Sequence, residues 1–458
     1  MKAVLDIGKT NVKLQLVHDS GALCESYSRK NAAVNSEPYP HADVEGIWHW
    51  LLDALAACKH VHEINAIIVT THGATAAFID NKKDLVLPVL DYEFVQINSC
   101  DEQYRKVRPD YSETFSPDLP AGLNLGRQIF WLQNNFPEQF SLVTHILMYP
   151  QYWGWRLTGN LASEVTSLGC HTDLWSPKAK NYSSLVTHCN WEGLFPPLRP
   201  AWDILGKISA SIAQKTGLST ECDVFLGLHD SNASYLRYLA ANNSSSGFTV
   251  ISTGTWTILM SARAGLSSLN STRDMLANCD VYSDPVACAR FMGGREYELI
   301  CRHLGGDVFS DFTPVDIQTA IDNHWFVTPD FSAGNGPFAG HSPITHCPFP
   351  ASSPAAIATL YCALMIDQRL TDLKANGPIY IEGAFLKNTL LCQLVAQCRP
   401  LQTVYLSADD TGTVQGAILL TRLGRGGEFE LPGQVCTPSR FTGLEAYKAR
   451  WYEAIAGK

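Results

Sequence analysis

Long apolar runs, short-period repeats and low-complexity tracts are absent from the chain. Nothing approaches the run of about 18 apolar residues that a membrane-crossing helix needs, so no bilayer span is expected. The opening residues 1–17 turn polar after seven positions and lack the apolar stretch and small-residue cleavage site of a secretory signal, which points to a cytoplasmic address. Positive charge is scarce. Lys and Arg total 34 against 44 Asp and Glu, a formal net charge of -10, the wrong sign for gripping a phosphate backbone, so nucleic acid is not an expected partner. No C-x-x-C pair occurs among the 14 cysteines, so they read as scattered reduced thiols rather than a zinc or redox site.

What is present is apolar material: 46% of the 458 residues are hydrophobic and 10% aromatic, enough for two or three compact lobes. Residues 4–7, then Val12, Leu14 and Leu16 alternating with Lys13 and Gln15, predict an opening hairpin. Ile47, Leu51, Leu55 and Cys58 lie at helical spacing, and residues 64–69 predict a buried strand running into Thr70, Thr71, His72 and Gly73. A strand at 224–226 and a helix from Asp230 lead to an Asn/Ser/Gly segment, 242–247, whose residues favour turns over helix or ladder. The domain boundary is placed there, giving residues 1–243 and 244–458. The opening plan then returns as strand 248–252, a Thr253-Gly254-Thr255 turn and strand 256–260. Residues 329–353, rich in Gly, Pro and Ser, read as a surface loop. A helix over 354–374, strand 379–381, helix 388–398, strand 404–406 and a last helix from Thr413 give the alternation of an α/β lobe.

The GKT string at 8–10 invites a P-loop reading, but that motif needs glycine at position 3, where Ala3 stands, and a helix where a strand is predicted. An Asp-x-Gly-x-Thr turn fits better. Gly8 lets backbone N–H groups approach phosphate oxygens, Lys9, Thr10 and Asn11 add donors, and Asp6 at the strand end is placed to hold Mg²⁺ directly or through water. An ordinary glycine turn explains the same residues. The Thr253-Gly254-Thr255 turn has the same chemistry, and two such turns half a chain apart suggest a duplicated fold gripping phosphates between its lobes; two unrelated hairpins are the alternative. Asp230, within Gly227 to Ala233 (GLHDSNA), suits a general base for an attacking alcohol, or equally a helix N-cap. Thr71, His72 and Gly73 after a strand, together with Asp91, are candidate ligands of a hydroxyl-rich substrate; a structural histidine and a solvated turn carboxylate are their bland readings. Gly383, Ala384 and Asn388, between a strand and a helix, offer a small-residue loop for a nucleotide base, or simply tight helix-on-sheet packing.

Taken in order, DIGKTNVK at 6–13, YPQYWGWRLTG at 149–159, SEVTSLGCHTDLWS at 163–176, FPPLRPAWDILGKI at 195–208, GLHDSNA, ISTGTW at 251–256 and EGAFLKNTLL at 382–391 resemble an FGGY-family carbohydrate kinase. The resemblance covers about residues 2–423 and is nearest to rhamnulokinase- and fuculokinase-type ketose kinases. It implies two α/β domains of the actin-like, ribonuclease-H-like superfamily with the active site in an interdomain cleft. It also implies ATP- and Mg²⁺-dependent phosphorylation of a small sugar, with no membrane or nucleic-acid partner and a homodimer left open. Position by position, Asp6, Lys9, Thr10 and Asn11 would face metal and phosphate, Thr253, Gly254 and Thr255 phosphate, and Gly383, Ala384 and Asn388 the adenosine. His72 and His229 would lie on the sugar side with Asp230 as base. The family's paired glycine appears as Glu382-Gly383, and a later segment reads Asp409-Asp410-Thr411-Gly412-Thr413, both departures. An actin-like ATPase and a sugar-responsive binding protein without kinase activity remain the rival classes.

Overall fold

The computed structural model describes residues 1–242, 247–308, 310–332, 334–407, 412–423, 431 and 433–457. Residues 243–246 of the expected domain boundary, and Asp409, Asp410 and Thr411, lie outside the described residues. The chain divides into two compact units. Unit 1 holds Met1–Ala241, Ala277–Pro285 and Thr411–Phe429; unit 2 holds Asn242–Leu276, Val286–Asp410 and Glu430–Lys458. No helix among the described residues is long and apolar enough to cross a membrane.

Unit 1 opens with an antiparallel meander of β1 (Lys2–Ile7), β2 (Asn11–Val17) and β3 (Leu23–Lys30). Helix α1 (Val44–Ala57) follows, capped by Asp43, which accepts from the Gly46 amide at 2.9 Å, and it buries Ile47, Leu51, Ala54 and Leu55. It carries the chain to β4 (Ala66–Thr71), which lies parallel to β1. Every residue of β4 is buried, as a central parallel strand covered on both faces requires. Then come β5 (Ile204–Lys207), β6 (Asp223–Phe225), β7 (Leu228–His229) and helix α2 (Asp230–Ala241). The sheet order is β5-β6-β4-β1-β2-β3, with β7 also pairing β4. Between β6 and β7 the backbone turns at Gly227, where φ is +79° and a Cβ would stand 2.3 Å from the Val69 carbonyl oxygen, so no larger residue fits. The register sets Asp6 opposite Thr70, Ile7 opposite Thr71 and His229 opposite Thr71. The C-terminal ends of three neighbouring parallel strands therefore meet at Asp6, Thr71 and His229, the edge where α/β sheets place their ligands.

Unit 2 repeats the plan with β8 (Thr249–Thr253), β9 (Thr257–Ala262), β10 (Pro285–Phe291), α3 (Gly293–His303), α4 (Pro354–Asp372), β11 (Ile379–Gly383), α5 (Thr389–Cys398) and β12 (Val404–Ser407). Its sheet contains the run β10-β9-β8-β11-β12, in which β8, β9 and β10 are antiparallel and β11 and β12 join parallel. That is the order β3-β2-β1-β4-β6 of unit 1, so each unit is a mixed α/β domain of the expected ribonuclease-H-like type. Helix α4 is buried along almost its whole circumference and forms the centre of the unit 2 core with Leu364, Ile366, Leu391 and Trp451.

The strand expected over 64–69 runs two residues later, because Ile64 closes the 3-10 turn Val61–Glu63 before the extended run begins. Strand β3 went unread. It is a half-exposed edge strand, LCESYSRK, whose polar residues face solvent and leave little apolar pattern.

Candidate active site

Asp6 is the first chemically pointed residue on the ligand-bearing edge. Burial, then the negative charge of Asp230, push its carboxyl up to about 7 against the opposing pull of Lys13. Among the described residues no hydrogen bond to Asp6 is made, and the Thr70 hydroxyl, its neighbour in register, is buried without a partner. A half-buried carboxylate next to a second one, without donors of its own, is the oxygen environment that suits a hard divalent cation such as Mg²⁺.

Asp230 is the first residue of α2, and its side chain does not reach the amides a helix cap serves. Its two donors converge on Oδ1, the Ser231 amide at 2.6 Å and the Ser231 hydroxyl at 3.3 Å, and His229 Nε2 lies at ion-pair distance, 3.2 Å, from the same oxygen. Oδ2 has no hydrogen-bond partner among the described residues, and the side chain is 30% exposed. His229 is buried, with Nδ1 at 3.1 Å from Asn232 Oδ1 and its backbone N–H donating to Thr166 Oγ1 at 3.0 Å. That hydroxyl in turn donates to Glu164 at 2.8 Å, a buried carboxylate that also accepts the Thr166 and Ser167 amides at 2.7 and 3.0 Å. Glu164 and Thr166 thus support the His229-Asp230 pair. Sequence reading passed over both, although Glu followed by hydroxyl residues is a readable helix-start pattern.

Gly73 faces His229 so closely that a Cβ there would lie 2.9 Å from Nε2. His72 sits beside it, its amide donating to the Ile7 carbonyl at 2.9 Å and its ring between Tyr92 and Tyr149 at 5.5 and 5.3 Å between centroids. Burial holds its imidazole below the usual range. The Thr71 hydroxyl turns back to the His72 carbonyl at 2.9 Å. Lys9 and Asp91, expected on the nucleotide and sugar sides respectively, form an ion pair with each other. Glu93 lies 3.4 Å from the same ammonium, which rests 4.5 Å above the Tyr92 ring. A pocket of about 320 Å³, part of it open to solvent, is lined by Lys9, Asn31, His72, Thr75, Asp91 and Tyr92 among others. Thr10 is exposed at the tip of the turn with its hydroxyl 3.0 Å from Asn11 Nδ2, while Asn31 donates to the Gly8 and Thr10 carbonyls at 2.7 and 2.9 Å and fixes the loop.

In unit 2 the Thr253 hydroxyl is fully used, donating to the Glu382 carbonyl at 2.6 Å and accepting the Phe385 amide at 2.9 Å. It fastens the β8 turn to the loop after β11. Gly383 has φ of +87° and would set a Cβ 2.1 Å from the Thr253 carbonyl oxygen, so the close approach of the two segments requires glycine. Thr255, Gly383 and Ala384 are exposed, and the Gly254 and Thr255 carbonyls accept the amides that open α3, Gly294 at 3.1 Å and Arg295 at 3.4 Å. Asn388 caps α5: Oδ1 accepts the Leu391 amide at 3.0 Å and Nδ2 donates to Thr359 at 2.9 Å, which engages both ends of the amide.

One other trio, Cys24, Glu25 and His60, brings ligand atoms within 4.8 Å of one another. Glu25 there already accepts from the Tyr27 hydroxyl and the Lys59 and His60 amides, and His60 pairs with Glu63, so these groups satisfy each other.

Comparison with known proteins gives the same frame. Residues 1–236 match the N-terminal domain of the FGGY family of carbohydrate kinases, and residues 245–428 match the carbohydrate kinase FGGY C-terminal domain. An L-fuculokinase of Escherichia coli K12 is 26% identical over 272 residues, 56% of this chain and 55% of that protein, so the chain spans about half the length of the curated relatives it matches. A xylulose kinase of Bacillus subtilis is 23% identical over 270 residues, 56% of this chain and 52% of that one. Among solved structures, a carbohydrate kinase from Novosphingobium aromaticivorans superposes with a TM-score of 0.90 at 31% identity over 100% of this chain and 98% of that one. A xylulose kinase from Rhodospirillum rubrum shares the fold alone, with a TM-score of 0.79 at 16% identity over 100% and 98%. With both domain models matched in order over most of its length, the chain belongs to the FGGY family of carbohydrate kinases.

Proposed function

We propose that this chain transfers the γ-phosphoryl group of ATP to a hydroxyl of a small ketose, with Asp230 as the general base. The observation that carries this reading is the arrangement of Asp230, whose donors, the Ser231 amide and hydroxyl, bind Oδ1 and leave Oδ2 free to accept a proton. The fuculokinase and xylulose kinase relatives favour a ketose. His72, Thr71, Gly73, Asp91 and Lys9, at and around the pocket beside His72, are assigned to the sugar, Lys9 because its ammonium is already turned to Asp91. Thr10, Asn11 and the Gly8 turn, with the Thr253-Gly254-Thr255 turn of unit 2, are assigned to the phosphates, and Gly383 and Ala384 to the nucleoside side with Asn388 as the cap that shapes their loop.

Asp6 would hold Mg²⁺, which when bound neutralises charge on the transferring phosphoryl group. Asp230 takes the acceptor proton as the sugar oxygen bonds to phosphorus and the bridging oxygen of ATP leaves with ADP. Coupled ADP release across ketoses, polyols and sugar acids tests the reading. Asp230→Asn is expected to lose at least about a hundredfold in kcat while still binding nucleotide. ATP turnover independent of any sugar would favour an ATPase instead, and sugar binding without ADP release would favour a sensor.

A further inference from the structure

Resting on that reading, we infer that His229 is not a sugar ligand but a positioning residue: a doubly protonated imidazole that ties down one oxygen of Asp230 and turns the other toward the acceptor hydroxyl. The argument runs through Asn232. Its Nδ2 donates to the Cys279 carbonyl at 2.5 Å, which fixes the orientation of the amide and leaves Oδ1 to meet His229 Nδ1 at 3.1 Å. An amide oxygen only accepts, so Nδ1 carries a hydrogen. On the other side Nε2 stands at ion-pair distance, 3.2 Å, from Asp230 Oδ1; a bare ring lone pair would be repelled by a carboxylate oxygen that close, so Nε2 carries a hydrogen too. A ring with acceptors at both nitrogens is an imidazolium.

The surroundings agree. His229 is 6% exposed, its backbone is anchored to Thr166, and Gly73 leaves the ring its place. The groups that face it are the Cys170 thiol, the Asp230 carboxylate and the His72 ring, itself held toward the neutral form by burial. Burial opposes charge on His229, yet Cys170 and Asp230 outweigh it and raise the imidazole to about 10. Burial likewise opposes a thiolate at Cys170, and His171 and His229 draw it down to about 5. The His229 cation restrains rotation of the Asp230 side chain, so Oδ2 stays presented.

The experiment combines ring-¹⁵N histidine NMR on the full chain with kinetics of His229→Ala and His229→Gln. In the wild type at pH 8, the signals lost on His229→Gln are expected to show both ring nitrogens protonated, and Asp230→Asn combined with Cys170→Ser, which removes both groups that favour the charge, is expected to return the ring toward a single proton. His229→Ala should lower kcat about ten- to a hundredfold with the KM values for sugar and ATP within about twofold, and His229→Gln, which keeps one donor without charge, should recover part of the loss. A singly protonated ring at pH 8 would overturn the inference. So would a raised sugar KM at unchanged kcat, which would make His229 a sugar ligand. If the wild type phosphorylates none of the sugars, the kinase reading fails by itself, and the NMR of wild type and of the Asp230→Asn, Cys170→Ser variant decides the charge on the ring without reference to turnover.

Discussion

Gly73→Ala is a small change with a large expected effect on catalysis. The added methyl would stand 2.9 Å from His229 Nε2 and 3.2 Å from Cδ2, where ordinary contact begins near 3.4 Å. Relieving this requires the ring to retreat by roughly half an ångström, which disturbs the ion-pair contact that Nε2 makes with Asp230 Oδ1 at 3.2 Å. The ring cannot swing freely, because Nδ1 is held by Asn232 and the backbone by Thr166. Weakening a close charge pair of this kind is worth about 1.5 to 3 kcal/mol, so kcat should fall about ten- to a hundredfold. Steady-state kinetics on the best sugar, with a thermal melt alongside, is the assay. Sugar KM should change less than kcat, and the melting temperature should drop only slightly, since the strain falls on one side chain rather than on the sheet. Full activity in a normally folded Gly73→Ala protein would refute the coupling of this glycine to the base.

Two further changes test other parts of the molecule. Glu296 in α3 is buried and accepts from the Tyr361 hydroxyl at 3.1 Å; burial first pushes its carboxyl from 4.5 up to about 7. The folded state therefore binds more protons than the unfolded chain between those values, so stability attributable to this group falls as pH rises through that window. At 1.36 kcal/mol per pH unit the penalty reaches about 3 kcal/mol above pH 7, and Glu296→Gln should gain that much on wild type between pH 4.5 and 8 in urea melts. A constant difference across pH would show that Glu296 titrates normally. Lys9→Met should raise the sugar KM about tenfold or more with the ATP KM within about twofold, since it leaves the Asp91 carboxylate facing the pocket unpaired; the opposite split would return Lys9 to the phosphates.

Much of the scaffold could be read because the periodicity that makes an element is local. Alternation in β2, the helical spacing of α1 and the apolar stretch of β8 each follow from which face the neighbouring residues bury. The edge strand β3 escaped for the same reason, since a strand that buries little shows little pattern. The place of Asp230 between a short strand and a helix was legible because the switch from an apolar run to a polar helix start is local. The Lys9-Asp91 pair was not, because it joins positions 82 residues apart and no spacing rule forecasts which distant carboxylate a turn lysine will meet.

The duplicated hairpin shows where reading by analogy stops. Gly8-Lys9-Thr10-Asn11 and Thr253-Gly254-Thr255 occupy the same place in their sheets, between the first and second strands, and share small hydroxyl residues. In unit 1 the turn is braced from outside by Asn31, which leaves the Thr10 hydroxyl at an exposed tip. In unit 2 Thr253, which ends its strand as Ile7 does in unit 1, is turned inward and fastens the loop after β11, where Gly383 must be glycine for the segments to touch. Equal topology and similar composition thus put different groups at the surface. On the unit 2 turn the Thr253 hydroxyl is spent within the fold, and Thr255 is the exposed residue.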